Sequence, residues 1–175
     1  SGSYSVKLTT RSVFGVTANG IASTATLITT PPYGVTGGIA YTQRPDSISG
    51  WYKYTPASAS DSGFVQFVLQ GSAGDTIGIV KFCTPNVAVG TWTRFSKAVQ
   101  YLNQNAPVNS YWILSSSDGA NPVVNSTIYV DDIDLVFNPT GISDVAHPIA
   151  AHVLMNPVAE TLEFEGLSAG ENQIA

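Results

Sequence analysis

The residues of this chain that could do chemistry are mainly aromatic rings and carboxylates, and they fall in a few short runs. Gly50-Trp51-Tyr52-Lys53-Tyr54 carries three large rings in four residues, Tyr111-Trp112 adds two, and Trp92 stands apart. Arg44 and Asp46 flank Pro45 just upstream, Asn103 and Asn105 follow later, and Asp131-Asp132-Ile133-Asp134 is the densest carboxylate cluster of residues 1–138. Aromatic rings stack on the C–H face of a sugar while a few polar groups fix its hydroxyls. The candidate set for such a site is Trp51, Tyr52, Tyr54, Trp112, Arg44 and Asp46. Alternate residues of a strand face opposite ways, so Trp51 opposes Tyr52 and Tyr54, and Tyr111 opposes Trp112. Most large aromatics fill cores. The expectation is that a minority, Trp51 or Trp112 first, is exposed.

The same inventory argues against catalysis. A glycosidase needs two carboxyl groups at a defined separation, yet all four Glu lie between Glu160 and Glu171, and none of the seven Asp before residue 139 has a catalytic context. A serine-type triad needs a histidine, and the two present, His147 and His152, fall late in the chain. No histidine cluster suits zinc, and no glycine-rich phosphate loop precedes a helix.

Charge divides the chain unevenly. In residues 1–97, seven basic and three acidic residues give +4; in residues 98–175, nine acidic and no basic residues give −9. The basic residues are scattered, which speaks against nucleic acid as a partner. No apolar run is long enough for a membrane-spanning helix. Cys83, the single cysteine, excludes an internal disulfide, and its apolar context Val80-Lys81-Phe82-Cys83 predicts a buried, inert thiol.

Val and Ile total 30 against 9 Leu, beside 36 Ser and Thr and many Gly and Pro, the composition of a turn-rich all-β domain. Strand-like segments recur at roughly ten-residue spacing. They are Tyr4–Leu8, Ala22–Thr30, Ile39–Thr42, Gly50–Tyr54, Gly63–Gln70, Thr76–Phe82, Thr91–Phe95 paired with Ala98–Leu102, Tyr111–Ser115 and Thr127–Phe137. Without an amphipathic helix, this predicts an antiparallel β-sandwich of the jelly-roll kind. A boundary is expected near Asn138-Pro139-Thr140-Gly141, giving a sandwich over residues 1–138, a linker over 139–149 and a Glu-rich C-terminal segment over 150–175. The chain opens on strand-like sequence with no signal-peptide pattern, as a mature or excised fragment would.

Two resemblances extend this reading. Tyr4-Ser5-Val6-Lys7-Leu8-Thr9-Thr10, Ile39-Ala40-Tyr41-Thr42-Gln43-Arg44-Pro45-Asp46, Gly50-Trp51-Tyr52-Lys53-Tyr54-Thr55-Pro56 and the closing Asn125–Phe137 run resemble a carbohydrate metabolism domain family of secreted proteins from gut and oral Gram-negative bacteria. That resemblance implies a jelly-roll sandwich similar to galactose-binding-like folds and carbohydrate-binding modules. Asn156-Pro157-Val158-Ala159-Glu160-Thr161-Leu162-Glu163-Phe164 resembles the core of the type A C-terminal sorting domain of the type IX secretion system, without its customary second half. It implies contact with the secretion machinery, and release or attachment at the outer-membrane cell surface.

The first resemblance also implies a structural role for the closing Asp residues. In similar jelly rolls an Asp of a closing Tyr-Val-Asp-Asp strand helps hold Ca²⁺, which makes Asp131 and Asp132 the metal candidates. Such an ion takes six to eight oxygen ligands. Regular alternation would send Asp132 and Asp134 to one face and Asp131 to the other. The competing reading is a solvated strand face whose Asp131 caps or accepts backbone hydrogen bonds; no cofactor is required. The expected function is a non-catalytic glycan-binding module of a secreted or cell-surface bacterial protein. A structural or adhesive module binding protein or matrix is the alternative, and a glycoside-active enzyme the third.

Overall fold

A computed structural model describes residues 4–137 and, beyond them, only the backbone of residues 152–153 and 164–165. The chain divides into two compact units, Ser1–Asn138 and Pro139–Ala175. Fourteen strands are described in the first, in chain order: β1 (Val6–Thr9), β2 (Arg11–Val13), β3 (Val16–Ala18), β4 (Ile21–Ser23), β5 (Thr26–Ile28), β6 (Gly34–Thr36), β7 (Ile39–Ala40), β8 (Ser47–Thr55), β9 (Phe64–Gln70), β10 (Thr76–Cys83), β11 (Val89–Ala98), β12 (Gln100–Tyr101), β13 (Asn109–Ser115) and β14 (Thr127–Val136). In the second unit β15 (His152–Val153) pairs antiparallel with β16 (Phe164–Glu165). The sorting motif expected at Asn156–Phe164 otherwise lies outside the described residues.

The protein is an all-β antiparallel sandwich. One sheet has the order β1-β14-β8-β11 and the other β12-β10-β9-β13-β4, with β7 also on β13. Taking β1, β4, β8, β9, β10, β11, β13 and β14 in chain order, every connection crosses between the two sheets except the β9–β10 hairpin. The expected pairing of Thr91–Phe95 with Ala98–Leu102 is not what forms. β11 joins β8, and the chain crosses at Val99 so that β12 joins β10 in the other sheet. Two short hairpins, β2-β3 and β5-β6, were not foreseen. The first turns on Phe14 and Gly15, both at positive φ, where glycine is at ease and phenylalanine is not.

Alternation builds the core. Ile48, Tyr52 and Tyr54 of β8, Phe95 of β11, and Ile128 and Val130 of β14 meet Val65, Phe67 and Leu69 of β9, Ile77 and Val80 of β10, and Leu114 of β13. Phe82 bridges the sheets, stacked on Phe95 at 4.4 Å and edge-on to Tyr52 at 5.0 Å. Each such side chain, once buried, contributes about 1.5–3 kcal/mol. Gly50 makes this packing feasible, since a Cβ there would lie 2.9 Å from the Phe95 ring.

Cys83 corrects the expectation of a buried thiol: it is exposed. Its strand alternates Val80 and Phe82 inward with Lys81 and Cys83 outward, so strand phase overrides the apolar neighbours.

A polar hub closes one end of the sandwich. Buried Asp61, in the β8–β9 connection, accepts hydrogen bonds from the Tyr54 hydroxyl (3.1 Å), the Ser117 hydroxyl (2.6 Å) and the Asp118 N–H (3.0 Å). Burial alone would raise its pKa, but the hydrogen bonds from Ser117, Ser126, Asp118 and Tyr54 together hold it below the usual carboxylate value. Burial, with the Asp61 charge beside it, pushes the Tyr54 phenol strongly up.

Candidate functional site

The outer face of the β1-β14-β8-β11 sheet carries the exposed aromatics. β8 turns Ile48, Gly50, Tyr52 and Tyr54 inward, so Trp51, Lys53 and Thr55 face out, with Ser49 in the same phase but buried. Trp51 is 40% exposed. Its cross-strand partners are Asp131 of β14 and Arg94 of β11, which puts an acid, an indole and a guanidinium in one row across three strands.

Two irregularities bring further groups to Trp51. Between the pairs Val89↔Tyr54 and Thr93↔Tyr52, residues Gly90, Thr91 and Trp92 stand opposite the single residue Lys53. The displaced strand carries Trp92, 39% exposed, toward β8, where the Lys53 ammonium lies 4.7 Å from its ring centroid. Between Asp131↔Trp51 and Asp134↔Ser49, residues Asp132 and Ile133 stand opposite Gly50, and Asp132 has φ +47°. Aspartate tolerates this left-handed conformation better than most residues. Trp51, Trp92, Asp131 and Asp132 line a concavity of about 210 Å³.

The β14 bulge overturns the expected placing of the carboxylates. The extra residue shifts the strand's phase, so that Ile133 and Leu135 pack toward the core while Asp131 and Asp134 both oppose outward-facing residues of β8. Asp131 Oδ1 accepts the N–H of Asp132 (2.9 Å), and Asp134 Oδ1 accepts that of Leu135 (2.9 Å). This matches the backbone-capping role weighed for Asp131. Among the described residues no three His, Cys, Asp or Glu side chains are grouped as a metal site would need.

The other sequence candidates disperse. Tyr52 (6% exposed) and Tyr54 (0%) are core residues and cannot stack on a ligand from solution. Arg44 anchors a loop: its guanidinium donates to the carbonyls of Asn103 (3.0 Å) and Asn105 and lies over the Tyr101 ring at 3.9 Å. Asp46 is exposed at the entry to β8, with its N–H bonded to the Val136 carbonyl, and lines neither concavity. Trp112 faces inward, with its ring 4.6 Å from that of Phe67.

Trp112 belongs instead to a second cleft, of about 590 Å³, with an apolar lining that includes Val6, Tyr41, Leu114, Ile133 and Phe137. The Tyr41 hydroxyl is buried there without a hydrogen-bond partner, and burial raises its pKa. The candidate set left out Trp92, although it is one of the chain's three tryptophans, and did not include Lys53, Arg94 or Tyr129. Their signal was the outward phase shared by Trp51 and Lys53.

No protein-family model matches the chain, and neither does any curated protein. One solved structure similar to part of it is an arabinose-bound MgGH51 α-L-arabinofuranosidase, which aligns with 75% of this chain at 17% identity and a TM-score of 0.45. The chain spans about a fifth of that enzyme (19%), a likeness that says nothing of sugar or hydrolysis here.

Proposed function

We propose that this chain is a non-catalytic glycan-binding module of a secreted or cell-surface bacterial protein, with its site on the outer face around Trp51 and Trp92. One observation carries the reading: two exposed indoles share a concavity with two carboxylates. Indole faces take up the C–H face of a sugar, and carboxylate oxygens accept hydrogen bonds from its hydroxyls. Asp131 and Asp132 are neighbours on one strand rather than groups facing each other across a cleft, which favours holding a sugar over cleaving it. Export, and the secretion machinery as a second partner, rest on the resemblance of Asn156–Phe164 alone.

A glycan array with the full chain, Trp51→Ala, Trp92→Ala and Trp112→Ala tests the proposal. Binding should fall at least tenfold in the first two variants and persist in Trp112→Ala, whose ring packs on Phe67. Absence of any bound glycan, or equal loss in all three variants, would overturn it.

A second reading, a protein- or matrix-binding module, is favoured by the β2-β3 hairpin. Its tip holds Phe14 fully exposed between exposed Val13 and Val16, and solvent-facing apolar groups of this kind are typical contact points for partners.

A further inference from the structure

The outer face carries a second row beside Trp51, which shares only Trp92 with the carboxylate concavity. Lys7 of β1 is in register with Tyr129 of β14, and Tyr129 with Lys53 of β8. Trp92 follows in the displaced segment of β11. The order across four strands is therefore cation, ring, cation, ring. The contacts bear out the row: Lys7 Nζ lies 5.4 Å from the Tyr129 centroid, and Lys53 Nζ lies 5.1 Å from Tyr129 and 4.7 Å from Trp92.

Neighbouring strands are about 4.8 Å apart, so like groups recur at roughly 10 Å, two strand spacings. Each single step is close to the length of one extended pyranose residue. A polysaccharide lying across the strands would thus meet a ring and a cation at successive sugars. Rings take C–H faces, and lysines take carboxylates. The carboxylates of Asp131, Asp132 and Asp134 all lie at the β14 bulge, to one side of this row, and Arg94 lies on that same side, across Trp51 from Asp131.

We propose, resting on the glycan reading of this face, that its preferred ligand is an extended anionic polysaccharide in which a uronic acid alternates with a neutral sugar. The acid cluster bars a polyanion from one side of the row and so confines it to the lysine–aromatic track.

The probes are hyaluronan oligosaccharides, the same oligosaccharides with their carboxyl groups reduced to alcohols, neutral glucan and xylan oligosaccharides, and single-stranded DNA of matched charge. Binding of the full chain is measured by calorimetry at low and moderate salt. Hyaluronan should bind best, lose about tenfold on carboxyl reduction, and weaken as salt rises. Lys53→Gln should cost about tenfold and Lys7→Gln a few-fold, with neutral-sugar binding retained and the urea midpoint of both variants close to that of the parent. If neutral or carboxyl-reduced sugars bind as well as hyaluronan, if Lys53→Gln has no effect, or if DNA binds equally, this proposal falls while the glycan reading stands or falls with the array. If no sugar of any kind binds, both fall.

Discussion

β8 supplies one aromatic residue to each of two very different carboxylate sites. Tyr54, pointing inward, donates to Asp61 in a buried hub closed by Ser117 and the Asp118 N–H. Three residues earlier, Trp51 points outward and pairs across the strand with Asp131. The residue chemistry is alike, but the surroundings divide the roles. The hub has its donors and acceptors matched inside the protein, and that matching ties the β8–β9 connection to the β13–β14 connection. The outer cluster lies at the surface instead, where Trp51 and Trp92 keep about two-fifths of their area exposed.

The sharpest way to break this contrast is to remove the two acids separately. Asp61→Ala leaves the Tyr54 and Ser117 hydroxyls and the Asp118 N–H without their acceptor, and should lower stability by about 3 kcal/mol or more in urea unfolding. Asp131→Ala on the exposed face should change it far less. The hub also carries a pH signature. The Asp61 pKa is lower folded than unfolded, so its ionisation stabilises the protein above about pH 4, and that contribution fades as pH falls through the folded value. Asp61→Asn should be less stable at neutral pH and should show a shallower acid limb than the parent.

A smaller effect is expected at Gly50, which directly precedes Trp51 on β8. Gly50→Ala sets a methyl 2.9 Å from the Phe95 ring, near the Asp131 carbonyl, and should cost about 1–3 kcal/mol in the same assay. The smallest stability effect belongs to Trp51→Ala. Its ring is 40% exposed, so its loss should shift stability by less than about 1 kcal/mol while removing ligand binding. A loss as large as that of Asp61→Ala would make Trp51 a structural residue and erase the distinction.

Near-continuous apolar runs and period-two patterning made most of the long strands legible. Gly63–Gln70, Thr76–Phe82 and Thr127–Phe137 coincide closely with β9, β10 and β14. The separation of Trp51 from Tyr52 and Tyr54 was legible for the same reason, although alternation alone does not say which side is core. Two kinds of feature escaped. Bulges depend on how a partner strand registers, so neither the approach of Trp92 to Lys53 nor the shared face of Asp131 and Asp134 can be read from one segment. Arg44, Asp46 and Trp112 were chosen for residue type. Their partners, the Asn103 and Asn105 carbonyls, the Val136 carbonyl and the Phe67 ring, lie far away in sequence.

Cys83 has a practical consequence. It is the single thiol of the chain, it is exposed, and it lies on the outward phase of β10, in the sheet opposite to Trp51. Maleimide coupling there would attach the protein to a sensor chip by one defined point and present the Trp51 face to the flowing solution. A dye at the same position would leave that face unlabelled.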